Sequence, residues 1–207
     1  MAAKRPYHRV NLKQSLLDSA VALIGEVGPQ AFTLREVARR AGVSHNAPYR
    51  HFRDKDDLLA AVAAQGFDRL TESMKKAMAK GRTAAERLSL AGRGYVEFAV
   101  RSPQHLLAMF EGPRSAEPRP EHAEPARRAF QILLDSITAV QAEGGLPKGD
   151  PYPLAVASWS AVHGLAKLAI GGQLPFTAKQ TFEFADYLTM VLAHGMANTT
   201  SGGRQRG

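Results

Sequence analysis

Apolar residues recur along most of this chain at spacings of three and four, the period of helices lying on a core rather than of strands. Leu12, Leu16, Ala20, Leu23, Ile24 and Val27 line one side of a first segment, opened by Asn11 with Gln14 as a capping pair and closed by Gly28-Pro29. Thr33 with Glu36 is a second capping box, followed by the apolar face of Leu34, Val37, Ala38 and Ala41. Gly42 supplies a left-handed stop, Val43 plugs the corner, and Ser44 is placed to cap another helix over residues 45–52. Asp54 caps a long helix expected to run to about residue 80, with Leu58, Leu59, Val62, Phe67, Leu70 and Met74 on its stripe.

Further on, Thr83 with Glu86 opens a helix carrying Leu88, Tyr95, Val96, Phe98 and Ala99, which Ser102-Pro103 ends. A short helix over 104–110 precedes a stretch rich in proline and charge, 111–125, expected to be a loop. Helices over 126–143, 152–170 and 178–194 complete the pattern, the last opened by Thr177 with Gln180. The tail from 198 has nothing to pack and is expected to be disordered. The fold class is therefore all-α, with no internal repeat.

The last two helices are apolar on more than one side. Leu154, Val156, Ala161, Val162, Leu165 and Leu168 nearly encircle the first; Phe182, Phe184, Leu188, Val191 and Leu192 cover more than one face of the second. Burial inside one subunit satisfies that pattern, and so does pairing with a second copy. A chain of 207 residues has few central slots, which favours a homodimer through these helices.

Charge changes the picture once it is located. The first 55 residues carry ten Lys/Arg against four acids, while the remaining residues are nearly balanced, within a total of +8. A concentrated positive field is the footprint of a polyanion partner, although a cluster alone also describes a solvated surface. With zero cysteines there are no disulfides, thiolate metal sites or cysteine nucleophiles. The N-terminus has basic residues but no apolar run after them, so it is no secretory signal; residues 154–170, interrupted by Ser158, Ser160, His163 and Lys167, are too polar for a membrane span. The expected location is cytoplasmic.

Two helices of this length joined at Gly42, the second short and polar at its start, are the sequence form of a DNA-reading helix-turn-helix. Two rivals are a nonspecific nucleic-acid-binding protein and a small helical enzyme. The enzyme is disfavoured: there is no His-Glu-x-x-His, no glycine-rich phosphate loop and no Ser/His/Asp grouping of recognisable spacing. No catalytic residue, metal or cofactor is expected.

The first sixty residues strongly resemble the DNA-binding domain of the tetracycline-repressor (TetR) family of bacterial transcription regulators. The likeness rests on the arm with Tyr7-His8-Arg9, on TLREVARRAGVS, on Tyr49-Arg50-His51-Phe52, and on Lys55 followed by Leu58-Leu59. Trp159, His163 and Gly164 within ASWSAVHGLAKL resemble the WHG type of C-terminal domain in that family. The resemblance implies about nine helices: a three-helix DNA-binding domain over residues 1–55, a helical effector-binding and dimerisation domain over 56–197, and a free tail. It implies a ligand-responsive repressor that binds a pseudo-palindromic double-stranded DNA operator as a dimer. Phosphate contacts then fall on Thr33, Tyr49, His51 and Lys55, and base reading on His45, Asn46 and Ala47, with Arg35 or Arg50, while Ser44 completes the DNA-binding set. Asn46 and Pro48 depart from the residues common at those positions. A small-molecule effector would meet Tyr95, Phe98, His105, Met109, Phe110, Trp159 and His163, although Trp159 and His163 equally suit packing beside the dimer seam.

Overall fold

The computed structural model describes residues 12–112 and 119–197. Eight α-helices and one short 3-10 turn follow one another there, without a strand. They are α1 (Leu12–Val27), α2 (Leu34–Arg40), α3 (Lys55–Met78), α4 (Ala84–Arg101), α5 (Pro103–Glu111), α6 (Pro120–Ala142), α7 (Tyr152–Ile170) and α8 (Ala178–Ala197). The 3-10 turn, Pro48–Arg50, stands between α2 and α3. The basic arm with Tyr7, His8 and Arg9, the Asn11 cap and the 198–207 tail lie outside the described residues.

Contacts divide the chain into two compact units. The first holds the chain up to Gly66 together with Gln104–Ala123; the second holds Phe67–Pro103 and everything from Glu124. In the first unit Leu16, Ile24, Val37, Leu58 and Val62 close around the rings of Phe32 and Phe52, joined by Ala108 of α5. Each such full burial stabilises by about 1.5–3 kcal/mol. α5 meets α3 at Gly66, where an added Cβ would fall 2.7 Å from the Met109 sulfur.

In the second unit α4, α7 and α8 pack on one another. Gly94 lets α4 cross the second half of α3 closely: a Cβ there would lie 2.9 Å from the Met74 Cα, and the Ser73 hydroxyl donates to the Gly94 carbonyl at 2.8 Å. Arg93 ties α4 to α8 through Asp186 and pairs within its own helix with Glu97 at 2.9 Å. Ile137, Val140, Leu146, Ala155 and Met196 make a further core, with Leu192 packed against it. α7 is the one helix among the described residues long and apolar enough to cross a membrane by length and composition, despite its polar interruptions.

The stretch expected to be a loop up to residue 125 is helical from Pro120 on. Proline is tolerated at the first helical position, where its missing N–H has no intrahelical partner. The Arg119 carbonyl accepts from the His122 and Ala123 amides at 2.9 and 3.2 Å, which starts the helix despite the buried Pro125 further in.

Candidate nucleic-acid interface

The element that leads into the site forms as its sequence directs. The Glu36 amide donates to the Thr33 hydroxyl at 3.3 Å, and the Glu36 carboxylate accepts from the Thr33 N–H at 2.7 Å and from its hydroxyl at 2.9 Å. The hydroxyl bond and the backbone bond from Thr33 hold the Glu36 carboxyl below its usual range. At the other end Gly42 takes φ 69°, and the Val43 amide closes back on the Ala38 carbonyl at 3.0 Å. This is the left-handed glycine cap that turns the chain towards the reading segment.

The reading segment itself departs from expectation. Instead of a helix over 45–52 capped by Ser44, the chain makes a tight turn followed by the 3-10 turn Pro48–Arg50. Pro48 has no N–H to give the Ser44 carbonyl, which accepts from the Ala47 amide instead, at 2.9 Å. Three-residue closures follow, Arg50 to Ala47 and His51 to Pro48, and the Ser44 side chain does not cap. Pro48 and Ala47 turn inward, Ala47 being 7% exposed, so a side chain expected to read bases faces protein instead. Ser44, His45, Asn46, Tyr49 and Arg50 face outward, and Tyr49 is 56% exposed. Phe52 is core. His51 is half-buried beside it, with ring centroids 6.3 Å apart.

The cations divide into engaged and available. Arg40 pairs with Glu26 at 2.7 Å. The Lys55 ammonium donates to the Gln30 carbonyl at 2.8 Å and lies 5.4 Å over the Phe32 ring. Arg35, Arg39 and Arg50 are exposed and make no ion pair among the described residues. Arg35 and Arg39 stand four apart on one face of α2, the arrangement for two phosphates or a phosphate and a base edge.

The residues expected around an effector belong to both units. Tyr95 and His163 meet, the phenol oxygen 2.7 Å from the imidazole Nδ1, with Trp159 6.0 Å from the His163 ring. Phe130 stacks edge-on against Trp159 at 6.1 Å and Tyr152 against Phe130 at 5.7 Å, extending the rings towards solvent. Burial pushes the Tyr95 phenol above its usual range and the His163 imidazole below its own. Phe98 is buried in α4 of the same unit. His105, Met109 and Phe110 belong to the first unit, where the buried His105 lies 3.1 Å from the Gln65 amide oxygen. Within α4 an added Cβ at Gly92 would meet the Thr189 side chain, and one at Gly94 the Met74 Cα.

Comparison with known proteins decides the identity. The family model described as "Bacterial regulatory proteins, tetR family" matches residues 16–62, and "Tetracyclin repressor-like, C-terminal domain" matches residues 88–192. The chain belongs to the TetR family. It is a DNA-binding transcriptional regulator of the ligand-responsive repressor kind. The HTH-type transcriptional regulator BetI of Rhizobium meliloti (strain 1021) is 31% identical over 157 residues, 74% of this chain and 75% of that one. A solved structure of a protein with unknown function from Rhodococcus sp. RHA1 superposes with TM-score 0.79 at 31% identity, covering 94% of this chain and all of that one. The transcriptional regulator FadR from Bacillus subtilis, solved in complex with stearoyl-CoA, shares the fold with TM-score 0.74 at 18% identity, over 88% of this chain and 98% of that one.

For this TetR-family regulator, sequence reasoning passed over Arg39, although its spacing from Arg35 was legible. It also passed over Phe130, whose place against Trp159 depends on how α6 packs on α7.

Proposed function

We propose that this regulator binds a pseudo-palindromic operator as a symmetric dimer, with residues 44–50 of each subunit entering a major groove. The observation that carries this reading is the outward set of His45, Asn46, Tyr49 and Arg50 beside the exposed Arg35 and Arg39, which make no ion pair among the described residues. Asn46 suits a bidentate pairing with adenine, and Arg35 or Arg50 one with guanine. Tyr49, His51 and Arg39 suit phosphates, as do Lys55 once it leaves Gln30 and Thr33 if it gives up Glu36. Dimerisation rests on the exposed apolar residues of the C-terminal part, Leu168, Phe176, Phe184, Tyr187, Met190 and Val191. Phe176, Phe184 and Tyr187 form a continuous run of tilted rings with centroids 5.6 and 5.8 Å apart, an exposed apolar cluster suited to pairing with a second copy. DNA as the target places the protein in the bacterial cytoplasm, and no catalytic step belongs to this reading.

The effector is a small molecule with an apolar body and a polar end. Support comes from the run of rings Tyr152, Phe130 and Trp159, which ends at the Tyr95–His163 hydrogen bond. Stearoyl-CoA, which the Bacillus subtilis protein of the same fold holds, is the first probe. Trp159 is the only tryptophan of the chain, so its emission reports occupancy directly.

The test is selection of operator DNA from a random pool, followed by titration of operator and scrambled duplexes. The reading requires a preference of roughly 10³ at one salt concentration. Asn46→Ala is expected to lose about 1–3 kcal/mol on the operator alone and to leave the salt slope unchanged. Equal losses on both duplexes mean that Asn46 does not read sequence.

A further inference from the structure

A buried carboxylate sits directly behind the reading turn. Asp57, 4% exposed, occupies the first turn of α3, and its own amide donates to the Asp54 side chain at 2.8 Å. Its carboxylate reaches back to accept from the Arg53 N–H at 2.9 Å, fixing the residue through which the chain passes from Phe52 into α3. The charge is answered from far along the chain: the Arg119 guanidinium lies 3.0 Å from the same carboxylate oxygen, just before α6 begins. His122, in the first turn of α6, stands 3.6 Å from the other oxygen, and neither that oxygen nor the imidazole Nδ1 has a hydrogen-bond partner among the described residues. The Arg53 side chain, more than half exposed, lies 3.8 Å away and gives little neutralisation. All of these groups belong to the first compact unit.

We propose that Asp57 and Arg119 are positioning residues for DNA reading, a latch in which the start of α6 holds the exit of the reading turn in its binding-competent conformation. The reason is the cost of a buried charge. A carboxylate this enclosed keeps its place only while a cation answers it; with Arg119 gone it turns towards water or draws solvent in, and the Arg53 amide loses its acceptor. The turn is a poor holder of itself, because a single 3-10 turn with a proline at its start has few backbone bonds of its own. Thr33 and Gly42 fix its entrance; Asp57 and Arg119 fix its exit. The inference rests on the reading of residues 44–50 as the DNA-contacting turn.

The test uses full-length Arg119→Gln, Asp57→Asn, the double variant and Arg119→Lys, each checked for helix content by circular dichroism. Affinities are measured for the selected operator and for scrambled DNA, with hydrogen exchange followed on a peptide spanning the turn. Arg119→Gln is expected to keep wild-type helix content and scrambled-DNA affinity, to exchange faster at Arg53, and to bind the operator about tenfold more weakly, as if the competent turn fell to a tenth of its population. The double variant should be no worse than Asp57→Asn, and Arg119→Lys should recover most of the loss. A wild type without operator preference overturns the DNA reading, and the latch with it. A wild type that prefers its operator, beside an Arg119→Gln variant that binds it equally well, overturns the latch alone. Loss of helix content in every variant overturns it too, because the pair then holds the fold rather than the turn.

Discussion

Lys55→Ala separates two jobs of one ammonium group. In the free protein the group donates to the Gln30 carbonyl at 2.8 Å and sits 5.4 Å over the Phe32 ring, at a half-buried position. A hydrogen bond from a charged donor is worth about 1.5–3 kcal/mol when shielded, and a cation–π contact about 0.5–1 kcal/mol at an exposed site. Half-exposure reduces the first, so the expected loss of stability is about 1–2 kcal/mol. On DNA the same group is expected to leave Gln30 for a phosphate. Its removal should then lower the slope of log K against log salt by about 0.9 per subunit, one counterion fewer released. Operator and scrambled DNA should weaken together, because a phosphate carries no sequence. Urea unfolding measures the first effect, and fluorescence anisotropy across a salt series on both duplexes measures the second. Lys55→Met, which keeps the stem over Phe32, isolates the charge. A stability loss with an unchanged salt slope would refute the reasoning, since the ammonium would then remain on Gln30 and Phe32 in the complex.

Val191→Glu, at a position 45% exposed in the single chain, should leave the subunit folded and convert a dimer to monomer by light scattering; a soluble dimer with unchanged operator binding would put the interface elsewhere. Leu192→Glu should instead unfold the second unit, since Leu192 packs against the core of Ile137, Val140 and Met196 rather than at the exposed face. Gly94→Ala should cost about 1–3 kcal/mol by thermal melt, because the new Cβ meets the Met74 Cα at 2.9 Å and helix backbone cannot yield as a side chain can. Burial first, then the charge of Lys167, depresses the His163 imidazole below its ordinary 6.5, so the folded state binds the proton less well than the unfolded one. Stability should therefore be full above about pH 6.5 and fall as pH drops through the interval between that value and the lowered one. His163→Gln should show a smaller fall between pH 7.5 and 5.5 in urea unfolding, and an equal fall would remove His163 as the cause.

Local chemistry was legible where it closes on itself over three or four residues. The capping boxes at Thr33–Glu36 and Thr177–Gln180, the Thr83 cap and the left-handed Gly42 each use neighbours in the chain, and they formed as read. The reading segment was the local exception. Its residues carry helical spacing, but the N–H that Pro48 lacks decides between an α-helix and a 3-10 turn, and that choice turned Ala47 inward. Pro120 misled in the opposite direction: at the first position of a helix a proline costs little, and the start of α6 is held by what Arg119 and His122 meet on α3.

By itself, then, the sequence determined most of the helical elements, the stop at Gly42, the concentration of positive charge in the first 55 residues and the family to which such a pattern belongs, because periodicity, caps and charge are properties of neighbouring residues. Only the tertiary structure decided that Gln104–Ala123 returns to the N-terminal helices, that Phe130 meets Trp159, that Lys55 is held by Gln30, and that Asp57 is buried against Arg119. Each of these joins residues distant in sequence whose pairing depends on which helix faces align once the cores close. Apolar spacing shows that a face is buried but not what it is buried against.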